Sequence, residues 1–486
     1  MTIDRRRFLA AAGSATGAVV AAGLLTPERA FAAALPAGWT LGFADVDADL
    51  APMPMRRVHG RAPAGLAGSL YRNGPAKFRR GDTRVGHWFD GDGLVRRFAL
   101  RGGEATLAAR FVDTPKRRLE EAAGRIMVPG FGTPAGPGVT LANADDASAA
   151  NTSVMMAGGE LWALWEAGSP VALDPESLAT RGIRTLGEGL AHMPFLAHPR
   201  IEPGGRIWNL GQAGRRAILW DLAPDGRLNR ATPIDLPRAS YIHDFTATER
   251  FVVIVLQPWI HARDAFPVTA ALAWQPELGT QVLVLDKADP TRRRLFELPA
   301  FSFFHLGDAW EESDGTIRFD ACIERDPTFA IHTAPALIEG RRVPSPLPML
   351  AMIALHRDGR GELLSTRVSA EFPRSDPRRA GRTRRYSVHT GLYGRGPVAG
   401  GVGMYDWRTG REDSFDFGAR QLVEEFVFVP AGAGERDGWL VGTTLNLAAR
   451  ATELHAFRAS EVAAGPIVSW RADSALPIGF HGTFVA

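Results

Sequence analysis

Short extended runs separated by Asp-Gly pairs dominate this chain, and they restrict it to an all-β architecture rich in hairpins. The clearest runs cover residues 160–165, 251–256, 281–285 and 316–320. They are apolar, β-branched or aromatic, as strands require. Asp92-Gly93, Asp225-Gly226, Asp314-Gly315, Asp358-Gly359 and Asp437-Gly438 stand beside extended runs, and such pairs supply the positive φ angles of a tight turn. Long helical periodicity is scarce. A β-propeller accommodates this pattern because radial sheets leave only short, protected edges. No repeat unit gives a blade count, so a large sandwich or a two-domain β protein satisfies the same pattern.

The N-terminus reads as an export address. Arg5, Arg6 and Arg7 precede Phe8-Leu9 and an apolar run to Leu25, followed by the small-residue site Ala30-Phe31-Ala32. This is the pattern of a twin-arginine signal, with the mature chain starting at Ala33. Asp4 stands where Ser or Thr is usual, which leaves an uncleaved N-terminal anchor as the alternative. The expected organisation is a signal over residues 1–32 and a single β-propeller catalytic domain over 33–486. The expected location is the periplasm or the extracellular space.

Cys322 is the only cysteine, so no intramolecular disulfide can form and stability must come from burial. The formal net charge of +3 includes the three signal arginines. The mature chain is therefore near neutral and offers little to nucleic acid. The densest basic cluster, between Arg374 and Arg385, reads as a solvated loop. No phosphate loop, dinucleotide fingerprint or Gly-x-Ser-x-Gly elbow is present.

Four of the 12 histidines share a context. His198, His243, His305 and His481 each stand by apolar or turn residues at the end of an expected strand. Their separations of 45, 62 and 176 residues match no local metal motif. Taken singly, each would be a hydrogen-bonded core residue.

The wider segments around them carry more. They are residues 68–75 (GSLYRNGP), 87–93 (HWFDGDG), Asn151-Thr152, Ala197-His198-Pro199, His243-Asp244-Phe245, Phe304-His305, Glu371-Phe372-Pro373-Arg374 and 480–484 (FHGTF). In this order they span nearly the whole mature chain, which resembles the carotenoid cleavage oxygenase family. The resemblance implies a seven-bladed β-propeller with a loop-built dome over one face. It also implies one Fe(II) held on the axis by His198, His243, His305 and His481.

Carboxylates that accept the outward N–H of such ligands fix their tautomers. By the family pattern these are Glu166 for His243, Glu425 for His305 and Glu461 for His481, with none for His198. Glu424 beside Glu425 leaves that register open by one residue. Thr152 matches a position that crowds a vacant site on the metal, while Asn151 and Asp308 would hold ligand loops. Asp308 replaces the family's usual Asn. His87 and the Asp90-Gly-Asp-Gly stretch read as structural, the latter as a hairpin rather than a calcium loop.

The implied activity is dioxygen-dependent cleavage of a carbon–carbon double bond in a carotenoid or apocarotenoid, an apolar polyene, giving two carbonyl products. Residues 257–260 and 301–304 are the expected tunnel walls, and a membrane is the natural reservoir for such a substrate. The similar stilbene cleavers carry Lys before the first of the three glutamates, where this chain has Trp165. Stilbene cleavage and a noncatalytic lipid- or protein-binding propeller remain the alternatives. Retinoid isomerohydrolases share the same iron core, so the resemblance alone does not fix the reaction.

Overall fold

The computed structural model describes residues 37–392 and 398–486. The signal segment and the cleavage site before Ala33 lie outside the described residues. Among the described residues no helix is long and apolar enough to cross a membrane.

Seven antiparallel sheets stand radially around one axis. Taking the inner strand first, blade 1 is built from Gly482–Val485, Gly68–Arg72, Asp92–Arg101 and Glu104–Phe111. Blades 2, 3 and 4 begin at Ser153–Ala157, Arg200–Ile201 and Thr246–Ala247, and blades 5 and 7 at Ser302–Leu306 and Gln421–Pro430. The long strand Gly361–Arg374 serves two blades. Its first half pairs with Met349–Leu355 as the outer strand of blade 5, and Ala370 to Arg374 pair with Tyr386–Gly391 as the inner strand of blade 6. The C-terminal strand pairs with an N-terminal one, Tyr71 opposite Thr483, so the two ends of the chain close blade 1. Leu50–Gly60 then joins the outer edges of blades 1 and 7.

Seven apolar clusters fill the seven contacts between neighbouring blades. In blade 4, Val252, Ile254 and Leu256 pack towards blade 3, while Val253 and Val255 pack towards blade 5. Period-two alternation with both faces buried explains why residues 251–256 read as an unbroken apolar run. Cys322 is buried between blades 5 and 6, where burial pushes its thiol well up. The ring of contacts therefore bears out the seven blades that the resemblance implied and that periodicity alone withholds.

The turn chemistry holds in part. Gly226, Gly315 and Gly359 close hairpins at φ of 78°, 83° and 93°. Asp437-Gly438 ends a longer loop, and Asp92-Gly93 closes no hairpin but opens the strand Asp92–Arg101. Asp92 binds Lys116, and Asp90 accepts the backbone N–H of Phe131 and Gly132, so both carboxylates are used in tying down the dome. His87 caps the turn Trp88–Asp90 and contacts the Ala330 carbonyl oxygen at 2.8 Å, a structural role.

Burial holds two blade histidines, His389 and His455, down at about 4. An unfolded chain takes up these protons near pH 6.5. The native protein does so only at about pH 4, so the stability these two residues contribute is full above pH 6.5 and is lost as the pH drops towards 4. Urea midpoints between pH 7 and pH 4 should show this decline. A His455→Gln variant should flatten it by one proton's slope, and an unchanged slope would exclude His455 as a contributor.

Candidate metal centre

Each blade offers its inner strand to the axis, and seven residues on or just before those strands gather there. In blade order from the second they are Thr152, His198, His243, His305, Glu371, Glu425 and His481. Short inner strands bring the loops before them close to the axis, so residues far apart in sequence become neighbours.

The four imidazoles form one cluster. The Nε2 atoms of His198 and His243 are 3.0 Å apart, as are those of His305 and His481. The donor atoms of His198, His305 and His481 all lie within 4.8 Å of one another. Ring centroids of His198 lie 4.6 Å from His243 and from His481.

Three of the rings are oriented by carboxylates. His243 Nδ1 bonds Glu166, which also accepts from the Tyr241 hydroxyl at 2.9 Å. His305 Nδ1 lies 2.6 Å from Glu371, and His481 Nδ1 lies 2.9 Å from Glu425. No carboxylate accepts from His198 among the described residues. Asp308 accepts from Arg200 and from the Ser375 hydroxyl; burial alone would raise its carboxyl, but the Arg200 and Arg384 guanidinium groups and the Ser375 hydrogen bond hold it below its usual range. Asn151 donates to the carbonyls of Phe89 and Gly91, each at 2.7 Å, and so ties the segment carrying Thr152 to the turn Trp88–Asp90. Thr152 lines the adjoining cavity, and its carbonyl accepts from His481 N–H at 3.3 Å.

Two of the expected carboxylate pairs are corrected. Glu425 supports His481, not His305. Glu461 lies in the turn between the outer two strands of blade 7, 66 % exposed in its side chain and 3.8 Å from Arg458. An outer-edge turn cannot reach the axis, which is served by inner strands. The residue missed is Glu371, which supports His305. It is the one acidic residue in the quoted Glu-Phe-Pro-Arg segment, and that was the available signal. The Glu424/Glu425 register is settled by a shift in strand pairing between Val423 and Phe426 that buries both. Glu424 binds Arg96 and the Gly479 N–H, away from the imidazoles.

The donor set fits a divalent cation. Ionised carboxylates only accept, so His305 and His481 carry their protons on Nδ1 and turn bare Nε2 lone pairs towards each other at 3.0 Å. Lone pairs so placed repel unless something positive lies between them. Two nitrogens at right angles, each about 2.1 Å from one ion, would show this spacing. Burial and the neighbouring imidazoles hold His198 far below its usual range, and burial takes His481 to about 3 despite Glu425. Burial also pulls on His243, but Glu166 outweighs it and the net direction is up.

An apolar cavity of about 310 Å³ opens on the cluster. His243, His305 and His481 line it together with Phe89, Phe131 and Phe304, whereas His198 faces a small polar recess on the other side. Of the expected walls, Phe304 lines the cavity and Trp259 stands behind Phe131 and Tyr241. Phe301 and Phe303 instead fill the contact between blades 4 and 5.

If Glu371 orients His305 towards an ion, Glu371→Gln should weaken metal binding about 10- to 100-fold. Glu461→Gln should leave it unchanged. Competition titration against a chelator measures both, and equal affinities for the two variants would contradict the pairing seen here.

A β-propeller whose axis gathers imidazoles above an apolar cavity is the class that fold and site define. The profile of the retinal pigment epithelial membrane protein (RPE65) family matches residues 43–486, and the chain belongs to this family, the carotenoid cleavage oxygenases. Its members are metalloenzymes, and this chain is an oxidoreductase of the carotenoid cleavage dioxygenase kind. The apocarotenoid-15,15'-oxygenase of Synechocystis sp. is 29 % identical over 460 residues, 88 % of this chain and 92 % of that one. Lignostilbene-alpha,beta-dioxygenase isozyme III of Sphingomonas paucimobilis is 26 % identical over 475 residues, covering 88 % and 92 %. The crystal structure of cobalt-substituted Synechocystis apocarotenoid oxygenase superimposes with a TM-score of 0.83 at 24 % identity, over 92 % of this chain and 98 % of that one.

Proposed function

We propose that His198, His243, His305 and His481 hold one ferrous ion and that the protein cleaves a carbon–carbon double bond of an apocarotenoid or carotenoid. The observation that carries this is the convergence of four imidazoles, three with their outer nitrogens bonded to carboxylates. Imidazole suits Fe(II), and when bound the ion would supply a site where dioxygen accepts electron density from a conjugated alkene. One alkene and one dioxygen give two carbonyl compounds, so no external reductant is consumed.

The chain's own residues do the rest. Glu166, Glu371 and Glu425 keep the rings in one tautomer and raise their basicity. Thr152 narrows the space beside His481, and Phe89, Phe131 and Phe304 hold the polyene and exclude water. No lysine or arginine lines the cavity among the described residues, and Trp165 forms the wall next to Glu166. That wall favours an apolar polyene over a phenolate. Phe266, 56 % exposed at the cavity edge, suits contact with a membrane reservoir. In the same reading residues 1–32 direct export by the twin-arginine route, and the mature protein works outside the cytoplasm.

Purified protein should hold about one iron per chain after reconstitution. Incubation with an apocarotenal, a carotene and a hydroxystilbene under dioxygen labelled with heavy oxygen should give labelled aldehydes from the first two. Products from the stilbene alone would reverse the substrate choice. Failure to retain iron would leave a binding propeller instead.

A further inference from the structure

The second strand of blade 5, Ile317–Glu324, ends at the cavity wall, and its last residue does not match its surroundings. Glu324 is 2 % exposed, and its Oε2 has no hydrogen-bond partner. Around it the wall is made by Phe329 and the stretch from Ser345 to Pro348. No described cation lines this cavity, and an ionised carboxylate without one is strongly disfavoured in apolar surroundings. Burial, reinforced by the negative charges of Glu371 and Asp326, pushes the Glu324 carboxyl well above its usual range. It therefore holds its proton, as carboxylic acids kept neutral by an apolar site do. A neutral carboxyl offers an O–H donor, and at Oε2 no described residue takes it up.

We infer that Glu324 donates this hydrogen bond to an oxygen carried by the substrate, a carbonyl or hydroxyl on the polyene. The bond selects an oxygenated polyene over a hydrocarbon and fixes how far the chain slides past the imidazoles. This rests on the polyene reading of the cavity.

The test is binding without turnover, with iron-loaded protein under nitrogen, read by quenching of tryptophan fluorescence. The probes are an apocarotenal and an oxygen-free polyene of equal conjugated length. Wild-type protein should prefer the aldehyde. Glu324→Leu should bind the aldehyde about tenfold more weakly and the hydrocarbon at least as well, while Glu324→Gln, which keeps a donor, should stay within about threefold.

Equal affinities of wild type and Glu324→Leu for the aldehyde would overturn the role of Glu324. Binding of neither polyene by wild type would overturn the polyene reading itself. Should Glu324→Leu not fold, infrared difference spectra decide. A protonated-carboxyl band that shifts on adding aldehyde to wild type and is missing in Glu324→Gln supports the role, and an unshifted band overturns it.

Discussion

Replacing His305 with alanine is expected to lower iron affinity and turnover by more than about 100-fold, the upper effect of removing a partner that merely orients a ligand. The substitution deletes one of four clustered donors and leaves Glu371 without the N–H it accepts. His305 lies on the inner strand of blade 5 and packs against Phe372 and His481, with centroids 4.9 and 4.7 Å away. The fold itself should persist, because the seven blade contacts do not depend on this ring. The most direct readout is therefore the shift in melting temperature on adding Fe(II). An ion bound only by the native state stabilises it by about 2.7 kcal/mol at a hundredfold excess over Kd. Wild type should gain this and His305→Ala should not. A variant with full iron and full turnover would remove His305 from the centre.

Glu425→Ala should be the most destabilising change at the axis, by about 3–5 kcal/mol, the usual consequence of stripping one partner from a buried ion pair. The Glu425 side chain is fully enclosed. It accepts from Arg374 at 2.7 Å, from the Gly482 N–H at 2.8 Å and from His481 at 2.9 Å, with Arg72 at 3.3 Å. Removing the carboxylate takes from Arg72 and Arg374 the anion they share and leaves Glu424 near the first and Asp308 near the second. Arg72 has no exposure, and burial already draws its guanidinium below the usual range. Burial alone would raise the Glu425 carboxyl, but Arg374 and His481 hold it well below the ordinary carboxylate range. Its contribution is therefore complete above about pH 4.5 and is lost as the pH falls through the lower, folded value. Urea denaturation of the metal-free protein should show the loss at pH 7 and a shallower acid limb in the variant. A change below about 1 kcal/mol would mean that the two arginines find other partners.

Residues on inner strands were the most legible part of the site. His198, His243, His305 and His481 stand in short apolar and turn contexts that mark strand ends, and family resemblance selected them from 12. Spacing could not, because their proximity is produced by blade packing. The carboxylates were harder to read. Glu166 was assigned to its partner, but Glu425 was matched with the wrong histidine and Glu461 with a place it does not reach. Glu371 was overlooked because its strand changes blade halfway along. Glu324 had no sequence signal at all, since an acidic residue at a strand end ordinarily faces water.

The sequence by itself determined that the chain is all-β, that it lacks a disulfide and that four histidines share strand-end contexts, because these follow from local periodicity, turn chemistry and composition. The seven blades were implied by family resemblance and not by any repeat in the sequence, while only the tertiary structure decided which carboxylate meets which imidazole and which acid is shut into an apolar wall. Those outcomes depend on strand order and pairing register, and a shift of one residue in register turns a side chain from the axis to the opposite face.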